Sequence, residues 1–424
     1  MTNISIITPL HQAGIKFISE TYKTLQKQSL SDWQWLILEN NGGETPLEIV
    51  GDQRVVIHKL PEYLNNSAST GIGALKRKLS DLATAKYIVE LDADDLLVPT
   101  ALEKINQAFE AGADFVYSDF CEFNDETWEP NFYSSYYGWS TYPYNYEGHE
   151  LVAMHSPELT PQNLRYVDFT PNHVRAWAKE AYNKVGGHNV NKPVADDHDL
   201  VVRMYLAGCK FTHIPEPLYM YRVHKNNTVA TKNALIRQHT EIVYNENIWK
   251  LGEKFSDDNN LSKVDLCGGI DCPAGYLALD KNINEGINGL VCDLDNIWPI
   301  KDSSVGLLRA NDSLEHLKDS IHTFNEAYRV LAPGGFFMIS VPSTNGKGAF
   351  CDPTHVSYFN NLSFRYYTNK QFARYIPEFK GKFQVSRIIE WHPSEWHKQE
   401  NVPYIDAQLF AVKDGFKPMG EVLW

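Results

Sequence analysis

The sequence predicts an α/β protein with two domains, each built on a Rossmann-like sheet. A chain of 424 residues is too long for one typical core. In both halves, short apolar runs rich in β-branched residues alternate with amphipathic helical segments, as in βαβ units with parallel strands. We expect an N-terminal domain with a mixed sheet over residues 1–232, a helical linker over 233–255 and a C-terminal domain over 256–424.

Composition restricts the kinds of molecule that the protein could bind and the compartment that suits it. The formal net charge is -14, with 39 Lys and Arg against 53 Asp and Glu, which argues against nucleic acid as a general partner. No run approaches the apolar length of a membrane span or a secretory signal. The six cysteines are scattered without paired spacing, which suits reduced thiols. We therefore expect a cytoplasmic protein without a membrane span.

The N-terminal half begins with a βαβ pattern. The strand Ile4–Pro9 is followed by a helix and by a second strand, Trp33–Leu38. A later helix, Gly71–Ala85, leads directly into a third strand, and its Lys76 and Arg77 are candidates to face a phosphate. Ligands of such sheets bind outside the carboxyl ends of the strands, so three strand ends are predicted to converge on one crevice.

The third strand runs into a cluster of carboxylates. Within Tyr87–Pro99 the apolar run YIVEL is followed by Asp92, Asp94 and Asp95. Carboxylates this close repel one another unless a cation lies among them, and Mg²⁺ or Mn²⁺ held by few protein oxygens keeps positions open for phosphates. A nucleotide diphosphate is the natural partner. The alternative is an Asp-rich turn that caps a helix starting near Pro99.

These motifs, in this order, resemble the inverting nucleotide-sugar glycosyltransferases of the GT-A fold, family 2 type. The opening strand carries the expected Thr8 and Pro9, while Glu39 begins a Glu-Asn-Asn-Gly sequence where the family usually has Asp-Asp-Gly-Ser. The resemblance implies that Glu39 lies at the nucleotide base, Asp92 near the ribose and Asp94 on the metal. The implied nucleotide-sugar site comprises Thr8, Pro9, Glu39, Lys76, Asp92, Asp94 and Asp95.

A second acidic motif lies in Val194–Leu206, where Asp196, Asp197 and Asp199 precede an amphipathic helix. Acids in a first helical turn commonly act as caps and interact favourably with the helix dipole, and we assign Asp199 to that role. The resemblance implies catalytic acids at Asp196 and Asp197, with the second as general base. Inverting transfer needs a carboxylate to take the proton of the acceptor hydroxyl.

Two further features lie downstream of the acidic turn at Asp92. The segment Phe211–Asn226 reads as a strand pair with a proline bend, and a histidine equivalent to His224 completes the metal site in some relatives, so Asp94 and His224 are the candidate ligands for Mn²⁺ or Mg²⁺. Val116–Gly187 is rich in aromatic residues, which form either a small core or an acceptor-binding lid. These aromatic residues are Tyr133, Tyr136, Tyr137, Trp139, Tyr142, Tyr144 and Tyr146.

The C-terminal half starts a new α/β pattern. The strand Lys263–Leu266 runs into Cys267, Gly268 and Gly269, a turn in which a ligand can approach the backbone closely. Three more strands are predicted, followed by a helix, a turn and a last strand. The three strands span Tyr276–Asp280, Gly289–Asp293 and Val305–Ala310. The helix spans Asp312–Leu331, the turn spans Ala332–Gly335, and the last strand spans Phe336–Val341.

This succession resembles a class I S-adenosylmethionine-dependent methyltransferase, through ANDSLEHLKD, EAYRVLAPGG and the DPTH sequence ending at His355. The resemblance implies S-adenosylmethionine as cofactor, with Asp280 on the ribose, Asp293 near the adenine, and His316 and His355 lining the pocket. The glycine motif is reduced, and the helix that usually follows it is predicted to be short or missing. The implied cofactor-binding residues are Asp265, Gly268, Gly269, Asp280 and Asp293.

The sequence thus predicts a glycosyltransferase joined to a methyltransferase-like domain, acting in surface polysaccharide synthesis. A nucleotide diphosphate sugar is the implied donor, with a UDP-sugar favoured, and a glycan or lipid-linked sugar is the implied acceptor. A non-catalytic glycan-binding or scaffolding protein is the alternative, given the altered turns after Glu39 and Cys267. Nucleotidyl transfer to a sugar phosphate is a third reading, but Pro9–Gly14 lacks the glycine-rich basic loop it needs.

Overall fold

The computed structural model describes residues 3–61 and 71–424. The chain divides into two compact units, Met1–Asn247 and Ile248–Trp424. The division falls inside one long helix, Thr228–Asp258, which is kinked at Lys232. The linker predicted over residues 233–255 lies within this helix. Each unit contains its own sheet, which confirms the predicted α/β class.

The first unit alternates strands and helices along most of its length. Its strands are β1 (Ile4–Leu10), β2 (Trp33–Glu39), β3 (Val55–Lys59), β4 (Tyr87–Glu90), β5 (Leu96–Leu97), β6 (Phe115–Asn124), β7 (Pro130–Asn131), β8 (Thr141–Tyr146), β9 (His149–Met154), β10 (Arg175–Ala178) and β11 (Phe211–Val223). Its helices are α1 (Ile18–Gln26), α2 (Leu47–Val50), α3 (Ile72–Leu82), α4 (Ala101–Glu110), α5 (Lys179–Lys184) and α6 (Asp196–Leu206), and the long helix that follows is α7 (Thr228–Asp258).

The first sheet is mixed, as predicted. Its main path runs β3-β2-β1-β4-β10-β6-β11-β5, with β7 to β9 added beside β6. Strands β1 to β4 are parallel, whereas β10 is antiparallel to both of its neighbours. Because β1 lies between β2 and β4, the carboxyl ends of these three strands meet at one edge of the sheet. This is the convergence that the sequence predicted.

Burial explains why the first strands read so clearly in the sequence. Every residue of β1 is buried, and so are all residues of β2 except Gln34. Strands covered on both faces become continuous apolar runs rather than alternating patterns. Helix α1 buries one face, including Ile18, Tyr22 and Leu25, and each such side chain contributes about 1.5–3 kcal/mol when fully buried.

Strand β11 differs from the prediction of a strand pair with a bend. It is one 13-residue strand that runs parallel to β6, with register shifts between Ile214 and Pro217 and between Pro217 and Tyr219. Proline has no amide hydrogen to donate to a ladder, so the strand is irregular there but is not broken.

The second unit carries a seven-stranded sheet within the described residues, in the order β14-β13-β12-β15-β16-β18-β17. Strands β12 to β16 are parallel, and β18 is antiparallel to both of its neighbours, β16 and β17, which extends the doubly wound order. The strands are β12 (Ser262–Leu266), β13 (Leu277–Asp280), β14 (Gly289–Val291), β15 (Val305–Asn311), β16 (Leu331–Pro342), β17 (Phe383–Trp391) and β18 (Tyr404–Ala411). The helices are α8 (Ser320–Val330), α9 (Gly348–Cys351), α10 (Arg365–Thr368), α11 (Lys370–Ala373) and α12 (Glu395–Gln399).

Local structure in the second unit corrects two predictions. The helix predicted from Asp312 begins at Ser320, because Asp319 accepts a hydrogen bond from the His322 amide at 2.9 Å and caps it. Residues 314–316 form a 3-10 turn instead. The turn predicted at Ala332–Gly335 is part of β16. Between β12 and β13 the described backbone contains turns and no helix, as expected.

Within residues 3–61 and 71–424, no helix combines the length and the apolar character needed to span a lipid bilayer.

Candidate functional site

A cleft of about 430 Å³ opens at the carboxyl edge of the first sheet. It is lined by residues from β1, α3, β10, α6, β11 and the turn after β4. The structure brings most of the predicted site residues of this unit to the cleft. These residues are Pro9, Lys76, Asp92, Asp94, Asp196, Asp197 and His224.

Asp94 and His224 lie in direct contact. The His224 Nε2 is 2.9 Å from the Asp94 Oδ2, although the two residues are 130 positions apart. Arg222, which is buried, donates from Nε to the Asp94 carbonyl oxygen at 2.7 Å and holds the turn in place. The His224 ring stacks on Phe17 with centroids 4.9 Å apart. A carboxylate and an imidazole fixed beside a cleft fit Mn²⁺. An ion bound between them would replace the hydrogen bond that joins them.

Asp92 is the second acid of the turn that reaches the cleft. Burial, together with the nearby carboxylates of Glu90 and Asp94, raises the pKa of Asp92 to about 7 against the opposing charge of Lys76. A carboxylate shifted this far by burial and by like charges is a candidate functional group. A cation or a bound cationic complex beside Asp92 would stabilise its ionised form.

A buried charge network lies beneath these acids. Glu90 is fully buried, and its Oε1 accepts from the Lys76 Nζ at 2.7 Å and from the Arg175 Nη2 at 2.9 Å. Burial alone would raise the pKa of Glu90, but Arg175 and Lys76 hold it well below its usual range. Lys76 is therefore committed to Glu90 rather than pointing freely toward a phosphate.

Asp197 is the more accessible of the two adjacent acids on α6. Its side chain is 21% exposed, pairs with the Arg175 Nη1 and accepts from the His198 amide at 2.8 Å. Burial raises the pKa of Asp197, but Arg175 and Lys76 outweigh burial and lower it to about 2. Asp197 is therefore ionised at neutral pH and accessible from the cleft.

Asp196 has the opposite environment. Its side chain is 4% exposed and lies 4.0 Å from the Lys76 Nζ and 3.7 Å from the His188 Nε2. Burial raises the pKa of Asp196 to about 6. A Cβ atom on Gly73 would lie 2.7 Å from the Asp196 Cβ, so α3 and α6 pack closely there. Adjacent acids with shifts of opposite sign are typical of sites that divide roles between carboxyl groups.

Two predicted nucleotide-binding residues lie in the core instead. Thr8 is fully buried, and its Oγ1 donates to the Leu91 carbonyl at 2.6 Å and accepts from the Trp35 Nε1 at 2.8 Å. Glu39 lies at the end of β2, where its Oε1 accepts from the Thr45 amide at 2.7 Å. Neither lines the cleft. Their placement argues for roles in holding strand ends and the following turn, and against direct ligand contact within this cleft.

Asp95 and Arg77 also differ from their predicted roles. Asp95 is fully buried and accepts from the Tyr219 hydroxyl at 2.8 Å and from the Arg222 amide at 2.7 Å. It anchors the acidic turn to β11. Arg77 pairs with Asp81 at 3.1 Å on the outer side of α3, so it does not face a phosphate in the cleft.

The aromatic segment does not form a single lid. Tyr133 lines the cleft. Trp139 and Tyr146 are buried, whereas Tyr136 and Tyr137 are exposed. Some residues of this segment therefore belong to a small core, as Trp139 and Tyr146 do. Of the aromatic residues named above, only Tyr133 reaches the cleft.

Sequence reasoning missed the network of Glu90 and Arg175, together with the buried His173 that lies beside it. Glu90, Asp92 and His173 offer ligand atoms within 4.8 Å of one another. Glu90 and Arg175 are each recognisable in the sequence as a charged side chain inside a largely apolar strand. Glu90 lies in YIVEL, and Arg175 lies in HVRAWA. Such a charge needs a buried partner, but the sequence alone does not identify it.

In the second unit, the glycine loop that follows β12 is held by Asp280, at the end of β13. The Asp280 Oδ2 accepts from the Gly269 amide and its Oδ1 from the Asn282 amide, both at 3.0 Å. A Cβ on Gly269 would lie 1.8 Å from the Asn282 carbonyl oxygen, so only glycine fits this turn. Asp280 therefore shapes the glycine loop whose backbone was predicted to approach a cofactor.

The other two acids predicted for this site differ in burial. Asp265 is buried under the loop and pairs with the Arg309 Nη1 at 2.7 Å, while burial raises its pKa to about 6. Its placement gives it a supporting role beneath Gly268. Asp293 is partly exposed and pairs with Lys281 at 3.1 Å, so its carboxylate is accessible to a ligand.

Comparison with known families agrees with this division. Residues 5–163 match the family described as Glycosyl transferase family 2. Residues 264–339 match the family described as Methyltransferase domain. The first match runs from Ser5 in β1 past β9 and includes the turn with Asp94, and the second runs from Val264 in β12 to Ile339 in β16.

Two curated relatives are similar to the chain. It is 25% identical over 219 residues to the O-antigen biosynthesis protein RfbC of Myxococcus xanthus, which covers 52% of this chain and 16% of the relative. It is 23% identical over 264 residues to the chondroitin synthase of Escherichia coli, covering 62% of this chain and 35% of the relative. The chain thus spans about a sixth to a third of the length of these relatives.

Among solved structures, S. aureus TarS residues 1–349 in complex with UDP-GlcNAc align with the chain at a TM-score of 0.41 and 15% identity. The alignment covers 64% of this chain and 76% of that one.

Proposed function

We propose that this chain, which carries a family 2 glycosyltransferase domain in its first unit and a methyltransferase domain in its second, transfers a sugar from a nucleotide diphosphate sugar to a glycan or lipid-linked acceptor. The transfer inverts the anomeric centre and depends on Mn²⁺ or Mg²⁺. One observation carries this proposal: the contact pair of Asp94 and His224 shares a cleft with the ionised, accessible Asp197.

The cation is assigned to Asp94 and His224, with Asp92 beside them. A divalent ion there supplies positive charge against the diphosphate that leaves the sugar. Arg222 holds the Asp94 carbonyl at 2.7 Å, so the turn that presents these side chains is fixed before a donor binds. Pro9 and Tyr133 form part of the surface around the donor and acceptor.

Asp197 is the general base of the proposal. Its carboxylate takes the proton of the acceptor hydroxyl as that oxygen attacks the anomeric carbon from the face opposite the diphosphate. Arg175 positions Asp197, since it bonds both to Asp197 and to the buried Glu90. Asp196 packs behind it and contributes to the charge balance around Lys76.

The donor is proposed to be a UDP-sugar and the product a surface polysaccharide. Support for the product class comes from the two curated relatives, named for O-antigen biosynthesis and for chondroitin synthesis. A cytoplasmic location stays a prediction from the sequence, and it suits six cysteines that are all free thiols.

Asp94→Asn is expected to abolish the joint stabilisation by nucleotide and metal. The full-length chain should be stabilised by UDP or a UDP-sugar only when Mn²⁺ is present, by about 2.7 kcal/mol when free ligand reaches 100 times its Kd. The measurement is a thermal-shift screen of nucleotide sugars with Mn²⁺ or with EDTA. Asp81→Asn, at an exposed acid on α3, is the matched control and should behave as wild type. Equal stabilisation of wild type and Asp94→Asn would refute the assignment.

The second unit is proposed to bind S-adenosylmethionine and so to make the chain bifunctional. The residues present fit the cofactor: Gly268 and Gly269 form a tight turn at the end of β12, and Asp280 lies at the end of the neighbouring β13. Each Asp280 oxygen accepts one loop amide and keeps a lone pair for a ribose hydroxyl. Asp293 is the proposed contact near the adenine.

Asp280→Ala is expected to weaken binding of S-adenosylmethionine or S-adenosylhomocysteine by about 2–4 kcal/mol, because it removes two charge-assisted hydrogen bonds. The loss includes the loosening of the loop that Asp280 holds. Calorimetry on the full-length chain measures it, with the exposed Glu285→Ala as control. Absence of heat from the wild type with either ligand at high concentration would contradict cofactor binding. Binding lost in Asp265→Ala but kept in Asp280→Ala would show that Asp280 is not the anchor.

A further inference from the structure

A cluster of three potential metal ligands lies in the second unit, close to the start of the glycine loop, since the hydroxyl of Ser313, two residues before Glu315, donates to the Leu266 carbonyl at 2.8 Å. Glu315 and His316 belong to the 3-10 turn that follows β15, and His355 follows α9. One ligand atom from each of the three lies within 4.8 Å of the others. The two imidazole rings are 5.0 Å apart between centroids and nearly perpendicular.

Glu315 is the unusual member of the cluster. It is 2% exposed, and neither carboxylate oxygen has a hydrogen-bond partner among the residues that the structure describes. Burial raises the pKa of Glu315 to about 8, although the amides of Glu315 and Ser313 act in the opposite direction. Ionising a buried carboxyl group without a partner costs several kcal/mol, and a cation bound between this group and the two imidazoles would offset that cost.

Hydrogen bonds around the two histidines engage Nδ1 on each ring, and the His355 Nε2 lies 4.0 Å from the Asp352 Oδ2, beyond hydrogen-bond distance. The His355 Nδ1 is 3.0 Å from the Ala349 carbonyl, to which it must donate. Thr354 donates its hydroxyl proton to Asp352 at 2.6 Å, so the His316 Nδ1, 3.1 Å from that hydroxyl, is the donor there. Each neutral ring therefore carries its lone pair on Nε2. A second shell that fixes the tautomer in this way is typical of metal-binding histidines.

The backbone holds the two segments together independently of any ion. The Glu315 carbonyl accepts hydrogen bonds from the amides of Val356 at 2.7 Å and Ser357 at 2.9 Å. The turn with Glu315 and His316 is thus tied to the segment with His355. Preorganisation of this kind lowers the cost of assembling a site.

We propose that Glu315, His316 and His355 bind a divalent transition metal ion, with Zn²⁺ as the ion of choice. Two imidazoles and one carboxylate suit Zn²⁺ and its first-row neighbours, whereas Mg²⁺ prefers oxygen ligands. Three protein ligands leave a coordination position open for an oxygen atom of water or of a bound substrate. The site lies just after β15, at the carboxyl edge of a doubly wound sheet, where ligands bind.

The test uses the full-length chain carrying Asp94→Asn, so that the proposed site of the first unit does not contribute. Titration with Zn²⁺ by calorimetry should show one ion bound per chain, and Co²⁺ should give visible d–d absorption from its bound form. Glu315→Gln, His316→Gln and His355→Gln should each weaken Zn²⁺ binding by at least about 100-fold, since loss of a ligand exceeds the 10–100-fold effect of a second-shell change. His392→Gln, at an exposed histidine of the same unit, should change nothing.

Folding of the variants is monitored by thermal unfolding without metal. Glu315→Gln keeps the shape of a buried carboxyl group that has no hydrogen-bond partner, so its metal-free midpoint should stay close to that of the parent. Zn²⁺ should raise the midpoint of the parent but not of Glu315→Gln. Absence of Zn²⁺ binding to the parent would overturn the proposal, and so would unchanged affinity in Glu315→Gln and His355→Gln.

Discussion

Asp197→Asn is expected to lower turnover by about 10²–10⁴ while the affinity for the donor stays nearly unchanged. The amide cannot take a proton from the acceptor hydroxyl, but it occupies the same volume and does not touch the pair of Asp94 and His224. Turnover is measured as release of nucleoside diphosphate from the donor found in the screen, and donor affinity by calorimetry. Because the pKa of Asp197 lies at about 2, the residue stays ionised throughout the neutral range in which this is measured.

Two neighbours on α6 serve as controls for Asp197. Asp199, in the same helical turn, pairs with Arg203 at 2.7 Å and does not line the cleft, so Asp199→Asn should keep near-wild-type turnover. Asp196→Asn tests the buried acid. A large loss of turnover in Asp196→Asn with full activity in Asp197→Asn would transfer the role of base to Asp196. Full activity in both variants would rule out a general base on this helix.

Glu90→Gln is expected to lower the free energy of unfolding of the first unit by about 3–5 kcal/mol. The substitution leaves Lys76 and Arg175 buried together without the carboxylate that compensates both. Urea denaturation measures the loss, and the transition that shifts with UDP and Mn²⁺ identifies the first unit.

Glu110→Gln is the matched control for the buried charge. Glu110 is exposed at the end of α4, where its Oε1 accepts from the Tyr87 hydroxyl at 3.2 Å. Its substitution should change the free energy of unfolding by no more than about 0.5 kcal/mol. If Glu90→Gln lowered the free energy of unfolding as little as Glu110→Gln does, the buried charge network would not be what stabilises the floor of the cleft.

The fold was largely predictable because its strands are buried. Strands such as β1 and β4 appear in the sequence as apolar runs with sharp ends, and the acids that follow β4 mark the carboxyl edge of the sheet. Helix ends were less predictable. Asp312 and Asp319 are both acceptable caps, and only the packed structure shows that the helix starts after Asp319.

The site was predictable only in part, since its electrostatics depend on partners distant in sequence. The contact of Asp94 with His224 came from family resemblance, because no local spacing links positions 130 apart. The ion pair of Arg175 with Asp197 depends on a strand crossing that the sequence does not encode locally. Thr8 and Asp95 fit the motif by position, yet their side chains satisfy buried hydrogen bonds.

The central claim is that two functions share one cleft but depend on different residues: Asp94 is needed to bind the donor, and Asp197 is needed to take the proton of the acceptor. The most direct measurement is release of nucleoside diphosphate from a UDP-sugar, together with donor affinity, for wild type, Asp94→Asn and Asp197→Asn with Mn²⁺ or EDTA. We predict that turnover requires Mn²⁺ and is lost in both variants, while donor binding is lost only in Asp94→Asn. Turnover that persists in EDTA, or that survives in both variants, would contradict the claim.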